Sequence, residues 1–379
     1  MLLGREVVLV LRRILILFAA LAAPLAAGAC GGEGQSATEP DRFDLRGPHA
    51  VGVTTLSLGD RQVEVYYPVD ATSVSGRPTD SYEAADAFPE AFRTMVPPAM
   101  NGSFDVGAVR DASGSGKGPF PVVIYSHGFG GYRQVATFYL AHLASWGFVV
   151  ASTDHLERGI VALASGKLNN ANKGIDLDDV SRTIALLRAE GAASTSPLEG
   201  IVNADRVGIT GHSAGAQTAL RAAGSNSDID AFVSISGGLS LMGEPSPPLP
   251  AKPGLVFAGA DDQVVIASKS AALFTALGSP KYHVEIENAG HNSFTDSCPV
   301  ILERGGLESL RPMLGTLIDL AQDGCNAGQA DPYAVQLVLG HYSTAFFLTY
   351  LTGEDHRATL LAGPPASVGS LSLSALAHA

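Results

Sequence analysis

Five short apolar runs punctuate the middle of the chain: Phe120 to Ser126, Phe148 to Ser152, Val207 to Thr210, Ala231 to Ile235 and Leu255 to Ala258. They are continuous, not alternating, and are bounded by Gly, Pro or Asp, as expected of parallel strands buried on both faces. Helical patterns separate them, over Ala136 to Ser145, Asp178 to Glu190, Ala214 to Ala223 and Ala267 to Leu277. This alternation predicts an α/β fold built on a mostly parallel, doubly wound sheet. Upstream, Ala50 to Leu58 and Gln62 to Tyr67 favour strands on either side of Gly59-Asp60, which predicts an N-terminal antiparallel hairpin. Tyr282 to Ile286 adds a further strand and Tyr333 to Leu351 a long terminal helix. The domain is placed at residues 48–362. Residues 363–379, rich in Ser, Ala and Gly, are expected to form a disordered tail.

Composition narrows the function classes. The 379 residues are 46% hydrophobic and 16% charged, enough apolar material for a large core and too little charge for a disordered chain. A formal charge of −13 argues against a nucleic-acid partner. No Cys/His cluster has zinc spacing, so no metal is expected.

The first thirty residues read as an export address. Arg5, Arg12 and Arg13 lead into an apolar run from Ile14 to Ala27 that is too short to span a bilayer and contains Pro24. Residues 1–29 are therefore expected to be a signal peptide. Ala27-Gly28-Ala29-Cys30 looks like a bacterial lipoprotein cleavage site, with Ala27 where Leu is commonest. Lipidation of Cys30 would make residues 30–47 a flexible tether and the product a cell-envelope lipoprotein, otherwise periplasmic or secreted. The membrane is then touched only through that anchor. Cys298 and Cys325, 27 positions apart, are expected to pair as a disulfide in an exported protein, the alternative being two separate buried thiols.

Gly211-His212-Ser213-Ala214-Gly215 fits G-x-S-x-G, a string that is weak alone. Its setting strengthens it: an apolar strand precedes it and a helical run follows, so Ser213 falls on a strand-to-helix turn above the carboxyl end of the sheet. A serine nucleophile needs a base held by a carboxylate, in the chain order serine, acid, histidine for such a sheet. His291 lies in the loop after the Tyr282–Ile286 strand and is the candidate base. His283 sits within that strand, and His341 and His356 belong to the terminal helix and its exit. The strand Leu255–Ala258 ends in Gly259-Ala260-Asp261-Asp262, and spacing favours Asp262 as the acid, with Asp261 the runner-up and potential helix cap. Oxyanion donors are assigned to the N–H groups of Ala214 and Phe129, the latter in the glycine-rich loop His127-Gly128-Phe129-Gly130-Gly131. His127 is read as structural. Asp176, Asp178 and Asp179 are read as acidic residues at a helix start rather than as a cation site. Pocket walls are expected from residues 70–118 and 156–176.

Ser126-His127-Gly128-Phe129-Gly130-Gly131, the G-x-S-x-G elbow, Asp262 and Gly290-His291 together resemble an α/β-hydrolase. The stretch from Tyr125 through Ala151-Ser152-Thr153-Asp154-His155 is similar to the platelet-activating-factor acetylhydrolase group and its dienelactone-hydrolase-like and cutinase-like bacterial relatives. The likeness spans about residues 48–355. Two departures stand out. Acetylhydrolases take their acid from the strand after the nucleophile helix, where this chain has Ser234-Ile235-Ser236. True dienelactone hydrolases carry a cysteine nucleophile. The resemblance implies a cofactor-free serine carboxylic-ester hydrolase that forms an acyl-enzyme on short- to medium-chain esters or lipids. Polyester or cutin depolymerisation is the main alternative, disfavoured by Ala214 where polyester cutinases usually carry Met. A peptidase or amidase, and a non-catalytic envelope lipoprotein on the same fold, are rivals of other classes.

Overall fold

The structure, a computed structural model, describes residues 42–88, 90–94, 96, 101, 103–168, 174–240, 247–303, 306–308, 311 and 316–379. The expected leader (1–29), Cys30 and the tether as far as residue 41 lie outside these residues. Among the described residues no helix is long and apolar enough to cross a membrane.

β1 (Ala50–Leu58) and β2 (Arg61–Val69) form the expected hairpin, with Leu58 opposite Arg61 across Gly59-Asp60. β3 (Ser81–Glu83) and β4 (Ser103–Asp105) make a separate two-stranded ribbon, while β5 (Val109–Arg110) pairs with β1. β6 (Phe120–Ser126), β7 (Val149–Thr153), β8 (Val202–His212), β9 (Ile229–Ile235), β10 (Gly254–Gly259) and β11 (Lys281–Ile286) follow, and β12 (Leu373–His378) comes last. The main sheet runs β12-β11-β10-β9-β8-β6-β7-β2-β1-β5 among the described residues. Every pairing from β7 through β6 to β11 is parallel, and β2 and β12 join antiparallel.

The continuous apolar runs are explained by helices on both faces. Along β6, Val123 and Tyr125 join the core beneath the helices Thr137–Ser145 and Pro332–Phe347. Val122 and Ile124 join the opposite core, under Ile175–Ala192, Ala214–Ser225 and Ala267–Ala276. Successive side chains point to opposite faces, so a strand covered twice has no polar register to show. β8 starts five residues earlier than its apolar run, because Val202 and Asn203 pair with Phe120 and Pro121 across an irregular register that the polar Asp205 and Arg206 hide.

Two boundaries are corrected. Residues 363–379 are not a disordered tail. Leu373–His378 pairs along β11, with Tyr282 opposite His378, and Leu371, Leu373 and Leu376 pack on the core. Its alternation of leucines with small residues is an edge-strand pattern that reads as low complexity by composition. The tether also ends before residue 47. Phe43 is buried edge-on against Trp146, ring centres 4.8 Å apart, and Asp44 Oδ2 accepts from Ser367 Oγ at 2.6 Å.

Cys298 and Cys325 are bonded. On a chain-entropy account this closure stabilises by about 3–4 kcal/mol. A reductant should therefore lower the melting midpoint, and an unchanged midpoint would contradict this account. A second expectation concerns Asp296, whose Oδ2 accepts the N–H of Thr137 at 2.7 Å at the start of the helix Thr137–Ser145. Desolvation pushes its carboxyl from 3.8 up to about 7, against the lowering effect of the Thr137 and Phe138 amides. A raised carboxyl favours the folded state fully below its unfolded value, and that contribution is lost as pH rises through the folded value. Asp296→Asn should therefore raise the melting midpoint at about pH 8 and give little or no gain at about pH 4, as read by differential scanning fluorimetry.

Candidate active site

All the candidate groups collect at the carboxyl ends of the parallel strands, where open α/β sheets bind ligands. β8 ends at His212 and the next helix starts at Ala214, so Ser213 alone makes the turn, at φ 57° and ψ −119°. A non-glycine residue is strained in that conformation. The neighbouring glycines are required by contact. A Cβ on Gly211 would lie 2.2 Å from the Gly215 carbonyl oxygen, and one on Gly215 only 1.8 Å from that of Ser126. The start of the helix Ala214–Ser225 thus rests directly on the end of β6. Gly128 in the loop after β6 is tightly but less severely packed, since a Cβ there would lie 3.1 Å from Ser213 Cβ.

Asp262 and His291, the candidate acid and base, are brought together. Asp262 follows β10 and His291 follows β11, and His291 Nδ1 lies 2.8 Å from Asp262 Oδ2. The other carboxylate oxygen accepts the N–H groups of Val264 (2.9 Å) and Val265 (2.7 Å). Burial alone would raise the Asp262 carboxyl. The hydrogen bond and charge of His291, with the two amides, overcome it and hold the group below 3.8. Asp261 is exposed and does not share this position. His212 bridges elbow and base: its ring centre is 4.6 Å from that of His291, and its Nε2–H donates to the His291 carbonyl at 2.9 Å. Burial and the neighbouring His291 depress the His212 imidazole to about 3, so it remains neutral there.

The proposed oxyanion donors come from the two segments that meet at Ser213. The first helical bonds of Ala214–Ser225 are those of Ala216 and Gln217 to the Ser213 carbonyl, which leaves the Ala214 N–H ahead of the ladder. In the loop after β6, Gly130 N–H donates to Arg158 and Gly131 N–H to Gly128, while the Phe129 N–H has no protein acceptor among the described residues.

That loop is pinned from behind by a buried polar network the sequence did not reveal. His127 Nε2 accepts from the His155 backbone N–H at 3.0 Å, and its Nδ1–H donates to the Gly128 carbonyl at 2.9 Å. Burial, with the charges of His155 and Arg158, holds His127 neutral, in keeping with a structural role. Arg158 donates to Ser126 Oγ (2.8 Å) and to the His127 carbonyl (3.1 Å). Behind Arg158 stand Asp176, Glu157 and Asp179, with Arg61 and Arg221 completing the ion pairs. The acidic run is thus more than a helix start: Asp176 and Asp179 are buried in this network, while Asp178 stays exposed. His155, Glu157 and Asp179 come near enough to one another to hold a cation, within 4.8 Å. The Arg61 guanidinium already supplies positive charge there, pairing with Asp179 and lying 3.9 Å from Glu157. His283 is buried within β11, and His341 within the terminal helix.

The dienelactone hydrolase family model matches residues 109–300, just over half of the chain. The model for platelet-activating factor acetylhydrolase, isoform II, matches residues 38–176. Among curated proteins the chain is similar to a platelet-activating factor acetylhydrolase of Gallus gallus, 28% identical over 129 residues. That match covers 31% of each chain, so under a third of the relative's length is spanned.

The elbow packing has a direct consequence. Gly215→Ala should destabilise by about 3 kcal/mol, because its methyl meets backbone that no rotamer change can move. Urea unfolding measures this, and a native midpoint would contradict the contact between helix and β6.

Proposed function

The chain belongs to the dienelactone hydrolase family, and from that membership we propose that it is a serine carboxylic-ester hydrolase working through an acyl-enzyme. The observation that carries the reading is the 2.8 Å contact between His291 Nδ1 and Asp262 Oδ2 beside a serine held in a strained elbow. With Nδ1–H donated to Asp262, Nε2 of His291 offers its lone pair to the Ser213 hydroxyl. Ser213 Oγ attacks the ester carbonyl as His291 takes its proton. The oxyanion formed is met by the N–H groups of Phe129 and Ala214. Collapse expels the alcohol, which leaves with the proton from His291. Water then attacks the acyl-enzyme, giving its proton to His291, and the acid departs as Ser213 is reprotonated. No cofactor or metal is assigned a part.

The substrates proposed are short- to medium-chain esters or lipids. Large exposed apolar side chains on the loops that carry the proposed donor and acid, Phe129 at 41% and Ile266 at 51%, support an oily substrate. Export, with a lipid on Cys30, fits the same reading, since the Cys298–Cys325 bond suits an oxidising compartment.

Ser213→Ala should abolish p-nitrophenyl ester hydrolysis and fluorophosphonate labelling while leaving the melting curve intact. Retained turnover would remove Ser213 from the mechanism. Asp262→Asn should lower kcat by about 10⁴-fold if His291 depends on it for tautomer and orientation.

A further inference from the structure

The acid and the base ride on separate loops, after β10 and β11, and one buried carboxylate outside both loops ties them together. Asp323 Oδ2 accepts the backbone N–H of Gln263, next to Asp262, at 2.9 Å, and that of His291 itself at 3.2 Å. Its backbone carbonyl accepts Asn292 N–H at 2.7 Å, and its Oδ1 accepts Gln329 Nε2 at 3.2 Å. Asp323 is 3% exposed. It touches the main chain of the base, never the imidazole, whose Nδ1 belongs to Asp262. The fit is tight, for a Cβ on Gly290 would lie 2.6 Å from Asp323 Oδ1 and 2.3 Å from Gly324 N. The segment bearing Asp323 is itself held. Ser293 Oγ donates to the Gly324 carbonyl at 3.1 Å, and Cys325 is bonded to Cys298 on the helix that follows the His291 turn.

We propose that Asp323 is a positioning residue for the Asp262–His291 pair: a carboxylate that fixes the acid loop against the base loop, with the Cys298–Cys325 bond as its anchor. The proposal rests on the Ser213–His291–Asp262 reading given above. Charge-assisted bonds to amides are short and directional, so one oxygen shared between two loops sets their separation. Reaction rates are sensitive to such registration, and a shift of about 1 Å remote from the chemistry can cost about a hundredfold.

The test uses the full chain, with kcat and KM measured on p-nitrophenyl acetate well below the melting midpoint. Asp323→Ala should lower kcat by about tenfold to a hundredfold with KM unchanged. Asp323→Asn, whose amide oxygen can still accept both N–H groups while its NH2 loses the bond from Gln329 Nε2, should recover part of the loss. The downfield proton resonance of His291 Nδ1–H should broaden in Asp323→Ala as kcat falls and sharpen again in Asp323→Asn. If Asp323→Ala does not fold, the Cys298→Ser/Cys325→Ser double variant serves in its place, with lower kcat at unchanged KM expected. Native kcat in Asp323→Ala, or in the double variant where that must stand in, overturns the proposal. So does a loss in Asp323→Ala that Asp323→Asn leaves unrepaired. Ser213→Ala run alongside separates the two levels. If it stays active, the triad reading fails and this proposal with it; if it is dead while Asp323→Ala keeps native kcat, only the positioning role fails.

Discussion

The helix that begins at Ala214 sits so close to the end of β6 that a single methyl at residue 215 would overlap the Ser126 carbonyl. Much of the site follows from this steric constraint. It forces the chain to turn within one residue, which puts Ser213 at a positive φ and pushes its side chain up from the sheet. It also brings the loop after β6 alongside Ser213, so that Gly128 packs close to the serine. The order β6-β8-β9-β10-β11 then delivers the loops bearing Asp262 and His291 to the same edge.

Rigidity behind that edge comes from polar groups rather than from oil. The loop bearing Phe129 is fastened by His127, His155 and Arg158, and Arg133 adds a second tie through Asp154 at 2.9 and 3.0 Å. Buried ion pairs such as Arg158 with Asp176 gain little net stability, because desolvation offsets their attraction. Their directional bonds instead select one loop conformation, which a uniformly apolar contact would not do. Keeping His127 uncharged is part of the same arrangement, since it must present one donor and one acceptor at fixed places.

Much of this was legible in the residue pattern. Buried parallel strands announce themselves as unbroken apolar runs, and glycines on both sides of Ser213 mark a turn with no space. The candidate Asp262 stands out because it follows an apolar strand, and the candidate His291 because it lies in the loop after the next. Asp323 was not readable. It lies 32 positions beyond His291 in a stretch without periodicity, and its task is to accept main-chain N–H groups, which any sequence supplies. The Cys325 two residues later, already paired on paper with Cys298, was the one available hint. Arg158 and Asp176 were likewise hidden, since each acts across a crossover that residue spacing does not measure. β12 went unread for a simpler reason: short side chains satisfy an edge strand and look like a spent terminus.

The bond between Cys298 and Cys325 also changes the topology of the molecule around the base. Residues 298–325 form a closed covalent ring, hung between the His291 turn at one side and the terminal helix at the other. One backbone scission anywhere inside that ring opens it without parting its two halves. The chain beyond Cys325, with the terminal helix and β12, therefore stays covalently joined to the polypeptide carrying His291 after such a cut, and only a cut combined with reduction frees it.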